Sequence, residues 1–415
     1  MNTTITIGII GGGAAGLMAA EAAAQAPHAR ITLLEKNKVC GKKILITGKG
    51  RCNLTNDCLP QEFLQNVVQG QKFLYSSLAF YSPADTMASF TQWGVPLKTE
   101  RGRRVFPQSD RALDIKNALC QAVASHPNVK ICHQSVLSLS PAHRGWQVQT
   151  DQETHFFHRL ILATGGISYP RTGSTGDGYR WAKELGHTVC PLKPSLVRLV
   201  CRENWCQQLE GLALRNVKLS LWKNGKCNWS QQGELLFTHD GVSGPLVLTA
   251  SAHLRDLCPQ EPCTMTLDLK PALSVQELDR RVLGDLELYR NKDLINAWKD
   301  LLPLRFIPVF VAQSGLDPRQ KANAVTREQR TRLVNLLKAF PLTAQALGPV
   351  EEAVVTAGGV SLKEVNPKTM QSKLHPGLYF AGEVLDLDAY TGGYNLQIAF
   401  STGRLAGHSA SQTEQ

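Results

Sequence analysis

The turn that ends the first apolar run constrains this chain more than any other feature. Apolar residues run from Ile5 through Ile10 and then break into glycine, with Gly11, Gly13 and Gly16 in G-x-G-x-x-G spacing. Alanine-rich sequence follows to Ala24, a good helix former. A second apolar run, Ile31 to Leu34, ends on Glu35. Strand, tight turn, helix, strand and acid form the dinucleotide-binding pattern. Gly11 permits the turn, Gly13 lets the backbone approach a pyrophosphate, and Gly16 lets helix and strand pack closely. The helix that begins at Ala14 and Ala15 would aim free N–H groups and a positive dipole end at that anion. Glu35 would accept hydrogen bonds from a ribose.

Composition narrows the class. At 415 residues the chain exceeds one typical core, so two or three domains are expected. With 43% hydrophobic and 19% charged residues it reads as a soluble globular protein. No apolar run is long enough for a membrane span, and the N-terminus lacks the basic region of a signal peptide, so the expectation is a cytoplasmic protein with no membrane partner. The eleven cysteines show no paired C-x-x-C spacing. Cys201/Cys206 and Cys258/Cys263 are too far apart for a zinc knuckle, so neither a metal site nor a disulfide framework is expected. The formal net charge of +11 points instead to a polyanionic partner such as nucleic acid.

Residues 36–56 follow the ribose-binding acid and are crowded with glycine and positive charge: Lys36, Lys42, Lys43, Lys49 and Arg51, with Gly48 and Gly50. Such a segment can wrap a dinucleotide, its cations meeting phosphates where the backbone comes close. GKKILITGKGRCNLTN (41–56) resembles the signature of the BaiN/RdsA family of FAD-binding oxidoreductases. Five further blocks match collinearly: RRVFPQSDRALDI (103–115), ILATGGISYPRTGSTGDGY (161–179), LLFTHDGVSGP (235–245), VTAGGVSLKEVNPKTMQSK (355–373) and GLYFAGEVLDLDAYTGGYNLQIAFSTG (377–403). The resemblance covers essentially the full length. It implies a non-covalent FAD contacted by Gly50, Arg51, Cys52, Asn53 and Val136 as well as by the first glycine turn.

Between the blocks, residues 61–95 read as helical, 110–125 as a helix, 129–139 as strands, and a hairpin surrounds Gly145. ILATGG (161–166) is a buried parallel strand ending in glycines; it resembles the second flavoprotein fingerprint, which implies that Thr164, Gly165 and Gly166 pass close to the dinucleotide. Residues 179–185 form a helix capped by Gly186. Beyond Leu192, alternating segments such as VKLSLW and TMTLDL indicate a barrel-like antiparallel unit. Residues 275–345 turn helical with no strand pattern. Gly382–Glu383 resembles the late flavin fingerprint, with Glu in place of the usual Asp. Gly393, Asn395 and Leu396 open a terminal helix whose dipole would face the flavin pyrimidine edge. The expected fold is α/β. A discontinuous Rossmann-like FAD-binding domain of the two-dinucleotide-binding flavoprotein type (1–191 plus 350–415) holds an inserted β-rich domain (192–274) and a helical subdomain (275–349).

No second G-x-G-x-x-G occurs, so NADH or NADPH, the expected reductant, has no Rossmann domain of its own. The resemblance implies reduction of an electron-poor C=C bond: some members are bile-acid-type enone reductases, others ribosomal RNA dihydrouridine synthases. The charge favours the RNA substrate, which the resemblance makes a uridine of 23S ribosomal RNA, flipped out to meet the flavin. Arg101, Arg103 and Arg104 would track phosphates, extended by Lys193, Arg198, Arg202, Arg215 and Lys218. A small-molecule reductase or oxidase and a non-catalytic flavin-bearing RNA-binding factor are the alternatives. Cys52, tuned by Arg51, is the expected proton donor, with Tyr169 and His239 as rivals. Oligomeric state is left open.

Overall fold

In the computed structural model, which describes residues 4–413, β1 (Ile5–Ile10) is the middle strand of a five-stranded parallel sheet. β2 (Ala29–Leu34) and then Val129–Cys132 lie on one side, and Arg159–Leu162 and then Leu378–Phe380 on the other. A central parallel strand is covered on both faces, which is why it reads as a continuous apolar run rather than an alternation. Ile7 and Ile9 are fully buried. One edge strand comes from beyond residue 350, so this unit is assembled from the chain up to Ser195 and from Val350 onward, while Leu196–Pro349 forms the other unit.

The helix α1 (Ala14–Ala24) follows the glycine turn and is buried nearly all round. Its alanines let the C-terminal helix, Tyr394–Ser411, come to backbone contact. A Cβ added at Gly403 would lie 2.3 Å from the Ala15 carbonyl oxygen, and one at Gly407 would lie 2.1 Å from that of Ala19. Close approach, not backbone conformation, requires glycine at both positions. Glu21, buried on α1, is paired with Arg404 of the same C-terminal helix, so the charge that helix packing buries is neutralised on the spot.

The second unit is built on a closed six-stranded barrel: Leu199–Cys201, Gly241–Ser243, Lys226–Thr238, Ala213–Lys223, Cys263–Asp268 and Phe340–Leu347, in that order around the ring. Val217, Leu219 and Leu221 face its core while Lys218 is exposed and Ser220 and Trp222 are half-buried, the period of two that sequence patterning detects. Helices Val275–Leu288, Ile307–Ser314 and Arg327–Lys338 pack with it in one core that includes Trp298, Phe306, Phe310 and Phe340.

Two expectations need correction. Residues 275–349 are not a purely helical subdomain, because Phe340–Leu347 closes the barrel between Leu199–Cys201 and Cys263–Asp268. Its alternation is real, with Phe340, Leu342 and Ala344 buried, but Pro341 and the preceding helical run hide it. Residues 61–95 are not continuously helical either. The strand Val67–Gln69 interrupts them and pairs with Asp388–Ala389, and Gly70 then turns the chain at a φ of +85°.

The helix contact sets a stability test. Gly403→Val drives a side chain into the Ala15 backbone and should cost about 3 kcal/mol, the upper range for overpacking. Gly284→Ala, where an added Cβ meets nothing within 4 Å in the middle of Val275–Leu288, should instead stabilise by about 0.5–1 kcal/mol. Thermal denaturation of the two variants would read opposite shifts.

Candidate functional site

The three glycines of the first turn are glycine for different reasons. Gly11 sits at a φ of +106°, and an added Cβ would meet the Ala163 carbonyl oxygen at 2.4 Å. At Gly16 the Cβ would lie 1.8 Å from the Gly11 carbonyl oxygen. Both serve the protein's own packing. Gly13 has an ordinary extended backbone, and a Cβ there would meet nothing within 4 Å. The chain leaves that space clear although nothing of its own fills it. Gly13 is the N-cap of α1 and offers no side-chain cap, so the first N–H groups of the helix face the clearing.

The clearing belongs to a cleft of about 1370 Å³, open mouth included, within the first unit. Gly11, Gly13, Ala14 and Ala15 line it at the turn, and Glu35, Lys36, Lys42 and Lys43 continue the wall. Val136, Thr164, Gly165, Glu383, Asn395 and Leu396 complete the set of expected residues that reach it. Two buried polar atoms on this wall, Thr164 Oγ1 and Trp181 Nε1, have no hydrogen-bond partner among the described residues.

The charged groups of the wall are prearranged. Glu35 accepts from the Gly12 N–H at 2.7 Å with one oxygen and from the Asn37 N–H at 2.7 Å with the other. The Asn37 side-chain amide donates to that second oxygen as well, at 2.6 Å; a carboxylate has about four lone-pair sites, so capacity for one ribose hydroxyl remains. Lys36 pairs with Asp177 at 2.8 Å, and Lys42 donates to the Arg171 carbonyl at 2.7 Å. Lys43 donates to Ser168 Oγ at 2.6 Å and to Glu383 at 2.8 Å. Burial works against the charge on Glu383, but the Lys43 ammonium, the Thr356 N–H at 2.8 Å and the Ser168 hydroxyl outweigh it, and the carboxyl titrates below its ordinary range.

Other expected residues lie off the cleft wall. Gly50, Arg51, Cys52, Asn53, Gly166, Gly382 and Gly393 do not line it. Gly166 and Gly382 are close-packing positions, where a Cβ would meet Thr356 Oγ1 at 2.3 Å and Ala15 Cβ at 2.7 Å. Arg51 is committed to Glu100 and Asp110 and stacks 4.2 Å over the Phe106 ring. Cys52 is fully buried, and that burial pushes its thiol up to about 12. A general acid must come within hydrogen-bond reach of the reacting atom, so this placement removes Cys52 as proton donor. Tyr169 is exposed and off the wall. His239 is an exposed residue of the other unit, paired with Glu210 at 3.5 Å. Sequence reasoning also passed over Asn37, Thr47 and Gln134, which do line the cleft. Asn37 and Thr47 lay inside the basic segment already singled out; nothing local marked Gln134.

The glycine geometry separates ligand from fold. Gly13→Val should leave the melting temperature of the ligand-free chain within about 2 °C, because a Cβ there meets no protein atom within 4 Å, yet abolish copurification of FAD. Gly16→Val should lose both. Absorbance of released flavin together with thermal denaturation checks the pair.

A family model described as HI0933-like protein Rossmann domain matches residues 5–409. The chain is 31% identical over 413 residues to a 3-dehydro-bile acid delta(4,6)-reductase of Clostridium scindens, covering 98% of this chain and 99% of that one. It is 30% identical over 407 residues to a ribosomal RNA dihydrouridine synthase of Haemophilus influenzae, covering 95% of each. Among solved structures, the 3-ketosteroid delta1-dehydrogenase of Sterolibacterium denitrificans shares the fold. It gives a TM-score of 0.51 at 14% identity, over 99% of this chain and 100% of that one. The glycine turn, the cleft it opens and these full-length relatives agree: the chain belongs to the HI0933-like family, the BaiN/RdsA flavoproteins, and is an FAD-dependent oxidoreductase.

Proposed function

We propose that the protein reduces a uridine of 23S ribosomal RNA to dihydrouridine, with NADH or NADPH as the electron source. The observation that carries this reading is the +11 net charge, which a reductase of small neutral or acidic metabolites has no need of and which RNA binding exploits. The relatives alone leave the choice balanced, since one is named for a bile-acid reductase and another for an rRNA dihydrouridine synthase at nearly equal identity. FAD, when bound, supplies hydride to an electron-poor C=C bond.

The chain's own residues would do the rest. The N-terminus of α1 and the bare Gly13 would hold the pyrophosphate, Glu35 the adenosine ribose, and Asn395 and Leu396 the far end of the cofactor. Lys43 and Glu383, locked together, would fix the wall between. With Cys52 sealed off, the proton for the second carbon falls to a group on the wall or to water. The sequence carries one dinucleotide fingerprint, so the nicotinamide would visit the flavin face transiently and leave before RNA enters. A uracil in a folded RNA would have to be flipped out to reach the cleft. An rRNA substrate implies a cytoplasmic protein, and among the described residues no helix is long and apolar enough to cross a membrane.

A small-molecule enone reductase is the second reading, favoured by the bile-acid reductase relative matched over 99% of its length. Mapping dihydrouridine in 23S rRNA from a deletion strain discriminates the two. One modified uridine should revert to uridine, and wild-type protein should restore it while the Gly13→Val variant does not. If the deletion strain keeps every rRNA dihydrouridine, the RNA reading fails and enone reduction takes its place.

A further inference from the structure

The cations that the sequence marks for phosphate binding divide into two classes once their partners are known. Arg103 pairs with Glu62 at 2.6 Å. Arg104 approaches Glu100 at 3.8 Å and packs 5.7 Å from the Phe106 ring centroid. Arg51 is held by Glu100 and Asp110, and Lys98 by Asp110 at 2.7 Å. These four are spent on the protein itself. On the same two turns, Lys49 and Arg101 are exposed, and the side chain of neither has an ion-pair or hydrogen-bond partner among the described residues.

The Arg51–Glu100 ion pair ties the two turns together, so Lys49 and Arg101 stand within one or two residues of the same bridge. The patch is also tied to the cleft. With its amide oriented to satisfy both neighbours, Asn53 accepts from the Gly393 N–H at 3.0 Å. Asn56 Nδ2 donates to the Gly102 carbonyl at 3.0 Å and to that of Gly392 at 3.1 Å. Gly392 and Gly393 form the turn that leads into the C-terminal helix, and two residues on, Asn395 and Leu396 line the cleft.

The backbone of the patch is strained as a unit. Ten non-glycine residues among those described have positive φ, and four of them fall here: Lys49 at 58°, Cys52 at 60°, Arg103 at 57° and Asp110 at 56°. Such strained positions concentrate at ligand clamps and switch regions. Around Lys49, Gly48 and Gly50 are also left-handed, at 55° and 84°, so the tip is bare backbone with one free ammonium.

We propose that Lys49 and Arg101 grip the phosphates flanking a nucleotide delivered to the cleft, making these two turns the RNA-docking rim of the flavin site. This rests on the rRNA reading above. A nucleotide swung out of a folded RNA must be held by its backbone on both sides, and two free cations on bridged turns, tied through Asn53 and Asn56 to the Gly392–Gly393 turn beside the cleft, do that. A small enone needs neither. Arg103 and Arg104, expected from the sequence to be the phosphate track, act instead as the frame that presents Arg101.

The test uses full-length holoprotein and deproteinised 23S rRNA from a deletion strain, with binding measured between about 50 and 200 mM salt. The Lys49→Ala/Arg101→Ala double variant should bind at least tenfold more weakly at the higher salt. Its log–log salt slope should fall by about two, one for each phosphate no longer neutralised. Flavin content and visible spectrum should match wild type, and Lys49→Arg/Arg101→Lys should keep the slope. If wild type binds and reduces the rRNA but the double variant keeps its slope and affinity, the rim assignment is overturned and the RNA reading stands. If wild type itself shows no salt-dependent rRNA binding, the RNA reading falls and the rim with it.

Discussion

The whole site depends on how closely α1 is gripped by its neighbours. The Gly11 carbonyl oxygen packs against Gly16 on one side, and the carbonyls of Ala15 and Ala19 pack against Gly403 and Gly407 on the other. In each case a side chain as small as a methyl group would overlap backbone. Protein interiors are dense enough to transmit such constraints without slack. The direction of the α1 dipole, and with it the placement of the pyrophosphate, is therefore set by backbone contacts rather than by adjustable side chains.

Charge inside this framework is handled in pairs. Glu21 meets Arg404, and Lys43 meets Glu383 with Ser168 and the Thr356 N–H completing the shell. Breaking either half-buried pair leaves an ion without its partner in a site that water reaches only in part. A Glu in the late fingerprint position, where an Asp is usual, has one more methylene of reach and spans from its strand end to Lys43 and Ser168 together. The wall of the cleft thus has its charged groups paired before any cofactor arrives, which favours binding by removing part of the ordering cost.

The first strand, turn, helix and acid were legible because every signal lies within about thirty residues and each residue type has one physical reason to be there. The barrel strands were legible from their period of two. Arg51 and Cys52 misled because their surroundings are non-local. The carboxylates that absorb Arg51 are 49 and 59 residues away, on another strand and turn. Nothing in G-R-C-N shows that the thiol points into the core. The strand Phe340–Leu347 was missed for a related reason: eight residues with a proline at the second position match a strand pattern only once its neighbours in the ring are known.

The edge strand Leu378–Phe380 pairs in parallel with Arg159–Leu162, although the whole of Leu196–Pro349 lies between them in the chain. During synthesis at ~5–20 residues per second, the interval between the two strands lasts on the order of 10–40 s. Throughout it, the Arg159–Leu162 edge has a row of unpaired N–H and C=O groups, a template for wrong pairing. The glycine face of α1 is likewise without its C-terminal helix. The barrel unit has every strand it needs once Leu347 is made, about thirty residues before that edge strand. The nascent chain therefore acquires its inserted unit first, and its flavin-holding sheet stays open on one side until the C-terminal segment arrives.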